Sequence, residues 1–229
     1  MMKMLRLILI VAMAFMASAT KGQSTEERSV GSFDEIRVSQ AITVYLKSGA
    51  KEMVKVEARG IDLEEVLTEV SGSRLKIHLD DGNHRNHSVR VYVTYNTLTG
   101  ISASSASGVF SENMIKSDRL DISVSSAADV EVDVDVTDIE VSVSSSGDLE
   151  LMGKAVSLEI SASSAGGVDA YDLDAEKVYV RASSAGSARV SASEEINAKA
   201  SSGASIRYRG NPAKSQTDSS SGGSVRKSD

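Results

Sequence analysis

From residue 101 onward the chain alternates apolar and polar positions in short runs, each followed by two serines and two small residues. Leu120-Asp121-Ile122-Ser123-Val124, Ile139-Glu140-Val141-Ser142-Val143 and Leu158-Glu159-Ile160-Ser161-Ala162 are such runs. Val178 to Ala182 and Ile196 to Ala200 continue the series. A period of two predicts half-buried β-strands rather than helices. The Ser-Ser-small-small motif begins at Ser104, Ser125, Ser144, Ser163, Ser183, Ser201 and Ser220, with spacings of 21, 19, 19, 20, 18 and 19 residues. One motif in one phase at that period marks a stacked repeat.

Carrying the alternation through one repeat puts Ile122, Val124, Ser126, Ala128, Val130, Val132, Val134 and Val136 on the inner face. Ser123, Ser125, Asp129, Glu131, Asp133 and Asp135 fall on the outer face. Stacked at ~4.8 Å per rung, the second serines Ser105, Ser126, Ser145, Ser164, Ser184, Ser202 and Ser221 are expected to form an interior hydroxyl ladder. Each would satisfy its neighbour, because a buried hydroxyl without a partner is costly. Two positions on, Ser107, Ala128, Gly147, Gly166, Gly186, Ala204 and Gly223 are all small, as a tight inner corner requires. The expected fold is all-β, a parallel β-helix (β-solenoid) with rungs of about 19 residues. Right-handed coiling is expected by analogy with parallel crossovers.

Residues 30–100 alternate without serine punctuation, so 30–225 reads as one solenoid domain with a less regular first part and serine-punctuated rungs over 101–225. Residues 75–79 and 89–93 flank a polar loop and read either as a long hairpin or as successive rungs. Leu63, Val66, Leu67 and Val70 fall at helical spacing and predict a short helix. The first segment is expected to cap the solenoid, and no cap is evident after Asn211.

The N-terminus changes the setting. Lys3 and Arg6, the apolar run Leu7 to Ala17 and Ala17-Ser18-Ala19 read as a secretory leader over 1–19, with a second cut site after Gly22. Eleven apolar residues are too few for a membrane span, which takes about 20. Residues 20–29 are expected to be a flexible lead-in. Removing Lys3 and Arg6 from a net charge of −7 leaves −9, which argues against nucleic acid and anionic membranes as partners. There is no cysteine, so neither disulfides nor a lipid-bearing cysteine is available.

Candidate chemistry is sparse. Asp80, Asp81, His84 and His87 are metal-ligating types in one loop, together with the third histidine, His78; the competing reading is a polar connection between strands. Asp129, Glu131, Asp133 and Asp135 form an acidic row, but alternate strand residues sit ~6.7 Å apart, too far to share one calcium easily. The outward serines Ser104, Ser125, Ser144, Ser163, Ser183 and Ser201 form a regular hydroxyl strip suited to a repeating polymer, or simply to keeping a flat sheet soluble. Aromatics are only 4% of the chain, so sugar-stacking platforms are scarce. No Gly-x-Ser-x-Gly elbow occurs, no cofactor motif is present, and the reading is of a non-enzyme.

The segments Phe33 to Val38, Ile42 to Leu46 and Leu75 to Ile77, followed by the Ser-Ser-x-Gly rungs, resemble the head GIN domains of auto-transporter adhesins, exported proteins of Bacteroidetes-type bacteria. The likeness spans roughly residues 30–225; the Gly-Ile-Asn tripeptide itself is absent, Gly60-Ile61-Asp62 being nearest. The resemblance implies a parallel β-helix, a place beyond the inner membrane (periplasmic, outer-membrane-associated or extracellular) and no catalytic residues. The expected role is adhesin-like binding of a glycan or a surface protein. The alternatives are a self-associating homo-oligomeric envelope module and, less favoured, a carbohydrate-active enzyme on a β-helix.

Overall fold

A computed structural model describes residues 23–82 and 84–228. The expected leader, with either cleavage site, lies outside the described residues. None of the helices among the described residues is long and apolar enough to cross a membrane.

Among the described residues, seventeen strands join one hydrogen-bonded sheet that coils into stacked parallel rungs. Each rung has a wall before the serine motif and a wall after it. β11 (Asp129–Val143), β12 (Asp148–Ala162), β13 (Gly167–Ala182) and β14 (Ser187–Ala200) each run from one serine turn to the next. Their pairing omits Thr137, Val156 and Glu176, where the chain rounds the corner between the walls. Val136 and Ile139 are both buried while Thr137 and Asp138 between them are exposed, so two outward residues in succession make the corner. The core is the expected inner face. Val124, Val130, Val132, Val134, Val141, Val143, Leu149 and Leu151 are at most 2% exposed, each contributing about 1.5–3 kcal/mol of burial.

The early rungs are not laid down in spatial order. β2 (Glu35–Val38) and β3 (Thr43–Ser48) form one rung. β6 (Arg74–Leu79) pairs in parallel with β2, and β7 (Ser88–Tyr95) with β3, on one side. β8 (Gly100–Ala103) and β9 (Gly108–Ser111) pair with the same two strands on the other side. Residues 75–79 and 89–93 are therefore two walls of a single rung, neither a hairpin nor two rungs. β10 (Ile115–Val124) then stacks on β8 and continues the coil.

An antiparallel layer closes this end. β4 (Met53–Arg59) pairs with β7, β1 (Ser24–Arg28) with β4, and β5 (Val66–Ser71) with β6. Two expectations are corrected here. From Ser24 the lead-in is strand, held by the Arg28 guanidinium, which donates to the carbonyls of Leu63 and Val66 and to Thr68 Oγ1. The expected helix is one 3-10 turn, Leu63–Glu65, after which the chain becomes β5. At the other end β15 (Ser205–Arg209) and β16 (Lys214–Ser219) stack on β14, and β17 (Ser224–Lys227) stacks on β15.

Candidate functional site: the serine turns and the groove beside them

Each serine motif is a tight turn. The residue three along donates its N–H to the first serine's carbonyl, as from Ala128 to Ser125 at 3.1 Å and from Gly166 to Ser163 at 2.8 Å. The two residues between are left-handed, with φ of 54° and 59° at Ser126 and Ala127 and 51° and 61° at Ser164 and Ala165. Two successive positive φ values define a type I′ turn. The strain at non-glycine residues is held by the stack. Ala106 N–H donates to Ser126 O, Ala127 to Ser145, Ala165 to Ser184 and Ala185 to Ser202, all at 3.0–3.1 Å.

This overturns the interior ladder. Ser105, Ser126, Ser145, Ser164, Ser184, Ser202 and Ser221 are all exposed at the turn tips. The left-handed pair interrupts the strand, and alternation is a property of strand alone. The first serines Ser104, Ser125, Ser144, Ser163, Ser183 and Ser201 lie half-buried at the end of the preceding wall, and Ser220 is exposed. The small inner position is as expected. A Cβ on Gly147 would lie 3.0 Å from Val124 O, and one on Gly186 2.7 Å from Ala162 O.

Sequence reasoning missed the eighth turn, Ser39-Gln40-Ala41-Ile42. Gln40 and Ala41 have φ of 62° and 57°, and Ala41 N–H donates to Ser105 O at 2.9 Å. Its signal was apolar-Ser-x-x-apolar between two strands, with a single serine.

On the wall before the turns, the outward columns run in register from rung to rung. One column carries Ser102, Ser123, Ser142 and Ser161 and then turns charged, with Arg181, Lys199 and Asp218. Beside this change lies a groove of about 410 Å³ lined by Ser163, Ser183, Ser201 and Ser220 together with Arg181, Lys199 and Asp218. Arg181 Nη1 lies 3.5 Å from Glu159 Oε1, while Lys199 makes no ion pair among the described residues. Hydroxyls, two cations and the Asp218 carboxylate thus share one depression. A larger trough of about 1030 Å³ follows the corner between the walls. Its rim alternates in sign, with Lys116, Asp135, Lys154 and Asp174, and Lys116 pairs with Asp135 at 3.7 Å.

In the histidine loop, His84 Nε2 lies 3.0 Å from Asp80 Oδ1, and its ring meets that of His87 edge-on with centroids 6.3 Å apart. His78 instead contacts the carbonyl of Leu79, and Asp81 is exposed. Among the described residues no three metal-ligating side chains converge. Asp129, Glu131 and Asp135 are exposed and Asp133 half-buried. In the next rung Asp129 stacks on Asp148 and Glu131 on Glu150, so the acids form ladders along the axis.

Fold and surface together define a parallel β-solenoid that presents ordered columns of side chains. The chain belongs to the family described as "Putative auto-transporter adhesin, head GIN domain", whose model matches residues 32–212. Among solved structures it is similar to a "putative adhesin" from Bacteroides fragilis, at 22% identity and a TM-score of 0.82 over 91% of this chain and 98% of that one. A "putative adhesin" from Parabacteroides merdae matches at 19% identity and a TM-score of 0.76, over 90% and 96%. A "putative lipid binding protein" from Parabacteroides distasonis matches at 20% and 0.67, over 90% and 97%. At such identities these likenesses establish the fold. No curated protein matches the chain. The family and these adhesin neighbours are described as adhesins, not as enzymes.

Proposed function

We propose that the protein is an exported cell-envelope or secreted binding protein of adhesin type, which holds a polar polymer, a glycan, in the groove beside the serine turns. The groove itself carries this reading. Four rungs offer it a serine each at a constant step, and Arg181 and Lys199 add two cations to the same space against the one carboxylate of Asp218, leaving it net positive. A repeating chain of hydroxyls and carboxylates matches a repeating row of hydroxyls with interspersed cations, because charge-assisted hydrogen bonds are the strong ones. The leader motif and the adhesin family support export; they leave periplasmic, outer-membrane-associated and extracellular placement equally served. The test is binding of the chain from Gln23 on to immobilised neutral and acidic glycans, with and without Arg181→Glu and Lys199→Glu. The expected result is selective binding to acidic glycans that the double variant loses. Turnover of a bound glycan would contradict the non-enzymatic reading.

A further inference from the structure

The wall after the turns carries a second, independent pattern. One outward column of this wall reads, rung by rung, Tyr92, Tyr45, Phe110, Glu131, Glu150, Asp169, Arg189, Arg207 and Arg226. Three aromatics are followed by three acids and then three arginines. The aromatics stack on one another, with Tyr45 centroids 5.2 Å from Tyr92 and 5.8 Å from Phe110, so their faces are already used. The charges are not used in the same way. Among the described residues only the junction pair is satisfied, Arg189 Nη1 lying 3.2 Å from Asp169 Oδ2. Glu131, Glu150, Arg207 and Arg226 are exposed and make no ion pair among the described residues.

Like charges stacked one rung apart repel, so three acids and three arginines in separate blocks are an unfavourable arrangement for an isolated molecule. Alternating them would have satisfied every one. The blocks do, however, have a symmetry. A two-fold axis lying along the strands between the Asp169 and Arg189 rungs reverses the column onto itself. It sets Asp169 against the partner's Arg189, Glu150 against the partner's Arg207 and Glu131 against the partner's Arg226. Because every step is one strand spacing, all six contacts fall into register over ~24 Å. The adjoining column agrees. Asp129 and Asp148 would meet the partner's Ser224 and Ser205, and no like charges are brought face to face in it. That column also contains Gly167, which leaves a shallow hollow of about 240 Å³ beside the junction, so the face is not propped apart there.

From this geometry we infer that two copies of the chain associate antiparallel, face to face, through the wall after the serine turns, each arginine block seated on the other copy's acidic block. The occupant is a second copy rather than a polyanion, because three of the six charges in the same column are acidic and the whole chain is negative. The contact rests on exposed ion pairs, so the dimer is sensitive to salt. It leaves the groove on the other wall open and does not depend on that groove's ligand.

The experiment is sedimentation of the chain from Gln23 on, which carries all the strands described above, at low and high salt. A dimer at low salt is expected, with its association constant falling about tenfold or more as the screening length shrinks from ~10 Å toward ~3 Å. Arg226→Glu weakens the dimer, and combining it with Glu131→Arg restores it, because the exchange swaps the two ends of the column. This pair changes one rung at each end, and circular dichroism confirms that both variants keep the fold. A wild-type monomer at low salt and high concentration overturns the inference. So does a dimer indifferent to both substitutions, or a chain that binds polyacrylate through the arginines while remaining monomeric.

Discussion

The backbone N–H of Ala127 donates to the carbonyl of Ser145 in the next rung at 3.1 Å, although both residues flanking that contact sit in left-handed turns. The same bond recurs up the stack, so each turn is held by its own closing bond and by its neighbour. Left-handed geometry at alanine and serine persists here because the surrounding hydrogen bonds over-determine it.

Replacing Ala127 with glycine should therefore stabilise the protein by about 1 kcal/mol, the cost of a left-handed non-glycine residue. Ala127→Val should destabilise it by more, since a β-branched residue tolerates that conformation least. Midpoints of urea unfolding report both; a stability loss with glycine would contradict the strained-turn account.

The inner corner sets a second order of effects. Gly186→Ala brings a Cβ to 2.7 Å from Ala162 O, against 3.0 Å from Val124 O for Gly147→Ala. Both are expected to lower stability, by about 1–3 kcal/mol as for other overpacked sites, with Gly186→Ala the worse of the two. Thermal melts of the two variants side by side decide this.

Tyr95 is 2% exposed and its hydroxyl has no hydrogen-bond partner among the described residues. Burial pushes its pKa up from 10.0 to about 12. Below pH 10 both folded and unfolded chains keep the proton, so its ionisation has no effect on stability. Between pH 10 and 12 only the unfolded chain releases it, and stability falls as pH rises, by about 2–3 kcal/mol over the whole window. Tyr95→Phe should remove that alkaline loss without lowering stability at pH 7, because no hydrogen bond is given up. Unfolding free energies measured at pH 7 and pH 11 test both statements.

Arg28 ties β1 to the cap through Leu63, Val66 and Thr68. Arg28→Ala should remove its donors to the Val66 carbonyl and to the Leu63 carbonyl, which keeps the Val66 N–H, costing about 1–3 kcal/mol, and should speed amide exchange in β1 and β5 ahead of the rungs. Uniform exchange across the whole chain would show instead that the cap and the coil unfold as one.

The rungs were legible because alternation and a near-constant serine spacing are local signals repeated many times. Their failure at Ser126 and Ser145 has one cause: two left-handed residues lift the chain out of the strand there, and the same parity resumes at Ala128 and Gly147. Leu63, Val66 and Leu67 misled because helical spacing over so few residues also fits a turn leading into a strand. The order of β6/β7, β2/β3 and β8/β9 is a matter of long-range pairing, which no local pattern encodes. The groove at Ser163, Ser183, Ser201 and Ser220 was half visible. The serines were identified, but the column that places Arg181 beside Lys199 exists only once rungs of 20 and 18 residues are set in register.

The most direct test of the central claim fills the groove without changing its charge. Ser183→Trp is placed on the half-buried turn serine between Arg181 and Lys199, and binding to immobilised acidic glycans is compared with that of the parent chain. The account predicts that the parent binds and that the variant, still folded by circular dichroism, loses binding at least tenfold. Equal binding by both would put the ligand elsewhere on the solenoid, and no binding by either would remove the glycan from the account.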